Sequence, residues 1–398
     1  MLRPWFGRTQ EGGQRGGSLV VPFEISTPAY PRPAHAVRSA MDRNGPFRTK
    51  SHMEGKTRDT KFALLALPQA TPLALYGLYE VFQSVGRAWS DMTGEANTPV
   101  RFSPAIVARS LASIPTAVGI EITPQAKLGP ADVVIVPDIA VGASFDPRGS
   151  WPEECAWLRE CFDQGAIICS VCTGSLVLAE AGLINGQQAT CHWASVEQFK
   201  KFYPSVNLAP ERILSTAGEA DRIVTSGGAS SWEDLALYLV ARFAGGQEAV
   251  RIAKIFLFGE RAEGQLMYAG ARTAHRHADS VIADAQSWIA ENYHESNIVG
   301  RLARRSNLNE RTFNRRFRAA TGYTPIDYVQ TLRIEEAKQL LETTGLQIDE
   351  ISEEVGYANP SYFRKLFRRR TGVPPARYRQ RFSPIALAGN LPKHNETS

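Results

Sequence analysis

The stretch AIICSVCTGSLVLAEAGLI, residues 166–184, sets a cysteine where an apolar run stops and an Ala/Leu-rich run begins. A strand, a sharp turn at Cys172 and then a helix is the geometry of a nucleophile elbow. Such an elbow lifts one side chain above a sheet and aims the following N–H groups at whatever binds there. A thiol that attacks also needs a lowered pKa and an acid or base in reach. A second set of residues lies far downstream. Arg311, Asn314, Arg315 and Arg318 fall on one face of a helical pattern, and Ser361, Arg364, Lys365 and Arg368 on one face of another. Long donors on exposed helices have the chemistry to reach base edges and phosphates in a DNA major groove.

These residues must be held by elements, and composition bounds which ones. A chain of 398 residues accommodates two or three domains, each with its own core. With 43% hydrophobic and 21% charged residues it reads as soluble and globular, without an apolar run long enough to cross a bilayer. The Arg-rich N-terminus lacks the apolar core of a signal peptide, so the expected location is the cytoplasm. All five cysteines lie within residues 155–191 and lack paired zinc spacing. This predicts free thiols, with no disulfide framework, metal or cofactor. The net charge of +5 is uneven: residues 1–58 carry six more cationic than anionic side chains, residues 283–382 five more, and residues 59–282 about six fewer. Two basic ends flank an acidic body, a pattern that suits nucleic acid but that a solvated surface would also give.

Residues 1–58 (GRTQEGGQRGG, YPRPAHAVR) show no sustained periodicity. They read as a disordered basic extension, or as an over-long gene start with Met53 as the initiator. From Lys61 the pattern predicts strands at 62–67, 131–138 and 166–171 and helices at 72–85, 151–165 and 175–184. The order strand, small-residue turn, helix recurs across 222–245. Strands that are apolar throughout, alternating with helices, predict an α/β domain over 59–250, a parallel sheet covered by helices on both faces. Residues 251–282 read as a helix and a connector, 283–382 as an all-α domain and 383–398 as a tail.

The all-α domain contains a repeat. LARRSNLNERTFNRRFRAATGYTP (302–325) and ISEEVGYANPSYFRKLFRRRTGVPP (351–375) each predict a short helix, a tight turn, a second helix and a Thr-Gly stop followed by Pro. Phe313, Phe317 and Thr321-Gly322 match Phe363, Phe367 and Thr371-Gly372 at an offset of 50, while the first helices match at 49, so the second copy has one extra residue in its turn. Phenylalanines four apart share a helical face and bury together, leaving the basic faces outward. The amphipathic LRIEEAKQLLETT (332–344) is placed to join the two units. Two recognition helices so joined would enter adjacent major-groove segments, roughly one helical turn or about 34 Å apart.

On these motifs residues 283–382 resemble the tandem helix-turn-helix domain of AraC/XylS-type transcription regulators. The residues that carry the resemblance are RTFNRRF…TGYTPIDY, RIEEAKQLL and VGYANPSYFRKLFRRRTGVPPARYR. By position, the resemblance implies base-facing roles for Arg311, Asn314 and Arg315 in the first unit and for Ser361, Tyr362 and Lys365 in the second. Residues 59–250, with the Cys172 elbow, ATCHW (189–193) and TSGGASSWEDLALYLV (225–240), resemble the PfpI-like or class I glutamine-amidotransferase-like fold, a flavodoxin-like parallel sheet. The combination is similar to GlxA-type regulators.

In enzymes of this fold a His often follows the Cys and an acid sits at the start of the first helix. Here those positions are Thr173 and Ala74, leaving His192 as the one candidate base. The resemblance therefore implies a non-catalytic pocket of Cys172, Thr173, His192 and Ala74 that binds a small-molecule effector. It further implies a homodimer on double-stranded promoter DNA, in contact with RNA polymerase and away from membranes. Two rival readings are a cysteine-dependent amidase or hydrolase with a DNA-localising tail, and a structural nucleoid-binding protein.

Overall fold

A computed structural model of the chain describes residues 59–95, 99–259, 263–270 and 277–383. The expected extension over 1–58, with its alternative start at Met53, lies outside the described residues, as does the tail from 384 onward.

Seven strands form one sheet: β1 Thr60–Leu65, β2 Phe102–Ala108, β3 Ala126–Lys127, β4 Val133–Val136, β5 Ile167–Val171, β6 Leu214–Ala217 and β7 Ile223–Ser226. Their order is β6-β7-β5-β4-β1-β2-β3, and every neighbouring pair is parallel except β6 with β7. The sequence pattern does not reveal β2 or β6. β2 carries Pro104, which a strand tolerates where its outer side is unpaired, and β3 pairs only with Val107 and Ala108. β6, reading LSTA, is a short antiparallel edge strand with little apolar signal.

Seven helices surround the sheet: α1 Pro72–Ser84, α2 Ala88–Thr93, α3 Pro152–Asp163, α4 Ser175–Glu180, α5 Val196–Phe202, α6 Trp232–Ala244 and α7 Gly246–Phe256. Side chains alternate along the strands between two cores. Leu65, Val134, Val136 and Ile168 pack with Leu158, Leu176 and Phe199 of α3, α4 and α5. Phe62, Leu64, Val133, Ile135 and Cys169 pack with Leu78, Leu239 and Ile252 of α1, α6 and α7. Both faces are dry, which is why the strands read as continuously apolar. α7 runs past Val250: its Ile252 is fully buried in the second core, and Glu248 Oε1 accepts the Gly86 N–H at 2.6 Å. The helix at the head of the expected connector therefore packs as part of the α/β body.

The remaining helices are α8 Ser280–Asn292, α9 Ile298–Arg305, α10 Glu310–Thr321, α11 Pro325–Thr343, α12 Ile348–Glu354, α13 Pro360–Thr371 and α14 Pro375–Phe382. They build two small cores. Phe313 and Phe317 pack with Ile289, Leu302 and Val329 in one; Phe363 and Phe367 pack with Ile334, Leu341, Ile351 and Tyr378 in the other. α11 belongs to both, giving Val329 to the first and the helical stripe Ile334, Ala337 and Leu341 to the second.

Between the cores sits Arg333. Its guanidinium donates to the Tyr293 and Glu295 carbonyls at the end of α8, both at 2.7 Å, and to the Gly356 carbonyl in the second turn at 2.8 Å. It also lies 4.8 Å from the Tyr357 ring centroid. The fork of guanidinium donors suits this convergence of acceptors. Arg333→Met should keep the alkyl packing but strand three carbonyls, lowering stability by roughly 2–3 kcal/mol in chemical denaturation. An unchanged midpoint would show that the two cores hold together without it.

Candidate nucleic-acid interface and elbow site

The two recognition helices are built alike. Asn309 accepts the Thr312 N–H at 2.9 Å ahead of α10, and Asn359 accepts the Tyr362 N–H at 3.1 Å ahead of α13. Each cap satisfies one of the donors that a helix N-terminus leaves open. At the other end the buried Thr321 hydroxyl donates to the Phe317 carbonyl at 2.8 Å, and Thr371 to Phe367 at 2.9 Å. Gly322 and Gly372 then take φ of +80° and +83°, the left-handed cap that stops a helix.

The one-residue difference between the copies lies in the turns. Leu308 N–H bonds to the Ala303 carbonyl and Tyr357 N–H to the Ser352 carbonyl, an offset of 49. The left-handed residues are Asn307 and Gly356, and the second turn has one more residue before its helix cap. Asn tolerates this conformation. At Gly356 a Cβ would also lie 2.2 Å from the His294 carbonyl oxygen, so glycine is required.

Arg311, Asn314, Arg315, Ser361, Tyr362 and Lys365 are all exposed. Among the described residues the first four and Lys365 have no hydrogen-bond or ion-pair partner, while the Tyr362 hydroxyl accepts from Gln330 on α11 at 3.3 Å. Three other basic residues on these helices are already used, whereas Arg318 and Arg368 on the outward faces are not paired among the described residues. Arg316 pairs with Asp279 at 2.5 Å, Arg364 with Asp349, and Arg370 with Asp327 at 2.9 Å. Arg364, one of the donors read from the sequence as facing outward, is thus neutralised within its own unit. Exposed cations of this kind have the chemistry to meet a phosphate or a base edge.

At the elbow, Cys172 follows β5 with φ of +57°, a strained conformation for a non-glycine residue, and a single 3-10 turn leads into α4. Each residue of Cys-Thr-Gly has a structural tie. The Thr173 hydroxyl accepts the Ile139 N–H at 2.8 Å and donates to the Ile139 carbonyl at 2.7 Å. A Cβ on Gly174 would lie 2.3 Å from the Pro137 carbonyl oxygen. Ala74 is fully buried in the same core as Cys172, whose own exposure is 5%. His192 is committed to its own turn, where its Nδ1 accepts the Ala194 N–H at 3.2 Å beside the Trp193 ring.

The structure supplies an acid that the sequence reading placed nowhere. With Ala74 at the expected position, no acid partner is anticipated. In the fold, Asp138, at the Pro-Asp that ends β4, lies within electrostatic reach of Cys172. Its carboxylate accepts from the Thr71 hydroxyl through Oδ2, while Oδ1 is buried and has no hydrogen-bond partner among the described residues. The acid arrives from a neighbouring strand end instead of the first helix, a placement that chain separation hides.

The electrostatics oppose nucleophilic chemistry. Burial, and secondarily the Asp138 carboxylate, push the Cys172 thiol up to about 12. Burial also raises Asp138, against the Thr71 hydrogen bond that would lower it. Cys155 is likewise pushed up to about 12 by burial, and Cys169 is raised by the same cause. All five cysteines are free and buried. Among the described residues no cluster of His, Cys, Asp or Glu is arranged to hold a metal ion. A cavity of about 700 Å³ lies away from the elbow, in the helical domain between Tyr293, Glu336, Lys338 and Tyr378.

A helix-turn-helix domain matches residues 302–381, and the DJ-1/PfpI family matches residues 109–242. The HTH-type transcriptional regulator CdhR of Pseudomonas aeruginosa is 32% identical over 246 residues, 60% of this chain and 70% of that protein. The HTH-type transcriptional regulator GlxA of Rhizobium meliloti is 27% identical over 229 residues, 56% of this chain and 68% of that protein. Among solved structures, a THiJ/PfpI family protein from Pseudomonas syringae aligns at 22% identity and a TM-score of 0.41, covering 62% of this chain and 95% of that one.

A carboxyl whose native pKa is raised binds its proton more tightly when folded. Its contribution to stability is present below the unfolded value, about 4, and is lost as pH rises through the native value. Asp138→Asn keeps an acceptor for Thr71 and removes that loss. Its melting temperature should exceed that of the parent at pH 8, with the gap closing toward pH 4. A gap that does not change with pH would show that Asp138 is not held in the raised state.

Proposed function

The chain belongs to the GlxA-type AraC family of HTH-type transcriptional regulators, and we propose that its α/β domain senses a small-molecule effector while its two recognition helices read adjacent half-sites of promoter DNA. The observation that carries the DNA half is the contrast on α10 and α13. Among the described residues Arg311, Arg315 and Lys365 stand exposed and unpaired, while Arg316, Arg364 and Arg370 are consumed by carboxylates of their own domain. Arg311, Asn314 and Arg315 serve the first half-site, and Ser361, Tyr362 and Lys365 the second.

The α/β domain acts without turnover in this reading. A thiol pushed up to about 12 carries almost no thiolate near neutral pH, and His192 is occupied within its own turn. In this reading the effector binds near Cys172 and Thr173, which follow β5 at the carboxyl edge of the sheet, where open α/β sheets bind ligands, while the fully buried Ala74 belongs to the core beneath. The effector binds one arrangement of the protein better than another, and that difference in affinity shifts DNA occupancy or contact with RNA polymerase. The protein works as a homodimer in the cytoplasm. Among the described residues no helix is long and apolar enough to cross a membrane.

One observation favours the hydrolase as a second reading: Asp138 gives Cys172 an acid neighbour. Turnover of amides that Cys172→Ser abolishes would replace the sensing role with an enzymatic one.

Two experiments test the proposal. A footprint on the protein's own upstream region, repeated with pooled metabolites, should show two protected segments whose occupancy changes with one pool. Arg315→Ala and Lys365→Ala should each weaken specific binding by roughly 1–3 kcal/mol and relax preference at one position of a half-site. Equal loss on every sequence would make them phosphate contacts, and no loss from either would remove the recognition helices from the groove.

A further inference from the structure

The short described segment Glu263–Gly270 touches both domains, and its most buried polar group is the side-chain amide of Gln265, at 2% exposure. Gln265 Nε2 donates to the Cys191 carbonyl at 2.8 Å, with the Arg212 carbonyl at 3.3 Å and the Thr190 hydroxyl at 3.4 Å also facing it. Its Oε1 accepts the Trp193 N–H at 3.3 Å. Room for the amide exists because residue 227 lacks a side chain: a Cβ there would lie 2.2 Å from Gln265 Nε2 and 2.9 Å from the Cys191 carbonyl oxygen. Gly227 directly follows β7 as Cys172 follows β5, and Ser226 and Val171 are paired in register. The cradle therefore sits beside the elbow, at the sheet edge where ligands of open α/β folds bind.

We propose that this cradle is a binding site for a primary carboxamide, with Gln265 as its resident intramolecular occupant. The inference rests on the sensing role proposed above and names the chemical class of ligand. Selectivity follows from the pattern of donors and acceptors. Three acceptors face the nitrogen, and one backbone N–H faces the oxygen. A carboxylate would set an oxygen against the Cys191 and Arg212 carbonyls. An ammonium would satisfy the acceptors but leave the Trp193 N–H without a partner. A tethered occupant competes with a free one, so the parent protein binds the carboxamide more weakly than a chain whose cradle is empty.

Displacement has a mechanical consequence. Met267, two residues on, is 2% exposed in the core of the second helix-turn-helix unit with Phe363 and Phe367. Glu263 pairs with Arg377 at 2.6 Å, the Tyr268 hydroxyl accepts from Arg381 at 2.9 Å, and the Ala269 carbonyl accepts from Lys338 at 2.5 Å. The segment is anchored in the second unit, and Gln265 ties it to the α/β body. A ligand that evicts Gln265 unties the two.

The test uses calorimetry on the full chain with propionamide, propionate and propylammonium as probes. Gln265→Ala should bind propionamide at least ten-fold more tightly than the parent and favour it over both other probes. The double variant Gly227→Ala/Gln265→Ala, which refills the cradle, should lose that binding. Gln265→Glu, which keeps the size of the residue but has no amide N–H, should show the same preference and guards against a folding defect in the alanine variant. Variants that keep the parent circular dichroism but show no preference for propionamide overturn the proposal. If a pooled metabolite shifts the parent footprint while the variants still ignore propionamide, the carboxamide site falls and the sensing role stands. If no metabolite shifts the footprint but Gln265→Ala takes propionamide selectively, the site stands and the sensing role falls.

Discussion

The guanidinium of Arg333 joins the two halves of the helical domain where their hydrophobic cores meet. Sequence-specific reading by two helices requires that they be held at a fixed separation and orientation, because a half-site met out of register loses its hydrogen bonds. α11 provides the separation by lying in both cores, with Val329 in one and Ile334, Ala337 and Leu341 in the other. A shared helix alone leaves the units able to twist about it. Arg333 opposes that twist by binding the carbonyls of Tyr293 and Glu295 on one side and of Gly356 on the other. The absence of a side chain at Gly356, which lets its turn lie against the His294 carbonyl, belongs to the same joint.

The α/β domain keeps the shape of a nucleophile elbow but not its electrostatics. A strained backbone at Cys172 presents the thiol at the end of a central strand, as catalysis would need. Packing then works against ionisation. The thiol is nearly fully buried, its acidic neighbour disfavours a thiolate, and the hydroxyl of Thr173 is engaged with Ile139. The ties that hold Cys-Thr-Gly in place are steric and hydrogen-bonded.

Charge is distributed by the same logic throughout the helical domain. Arginines whose carboxylates lie on neighbouring helices become internal braces, as Arg316, Arg364 and Arg370 do. Those on the outward face early in α10 find no such carboxylate. The fold itself therefore sorts one basic sequence into cations that brace it and cations left exposed, a distinction that net charge cannot make.

Much of this was legible in the chain. Period-two burial on both faces of β1, β4 and β5 showed as uninterrupted apolar runs, and the two helix-turn-helix units showed as Phe-x-x-x-Phe and Thr-Gly repeated at an offset of 50. Even the extra residue in the second turn could be counted, because caps, turns and helical faces are set by neighbours a few residues apart. What the tertiary structure alone decided are meetings between distant segments. Asp138 approaches Cys172 because β4 and β5 are adjacent, and Gln265 enters the cradle of Thr190, Cys191 and Arg212 because the connector folds back on the sheet edge. β6, a short polar edge strand, and β2, a strand holding a proline, carry little apolar pattern. Local periodicity records which face of an element is buried; which partner buries it depends on loop closure and packing across the whole chain, and no short stretch of sequence encodes that.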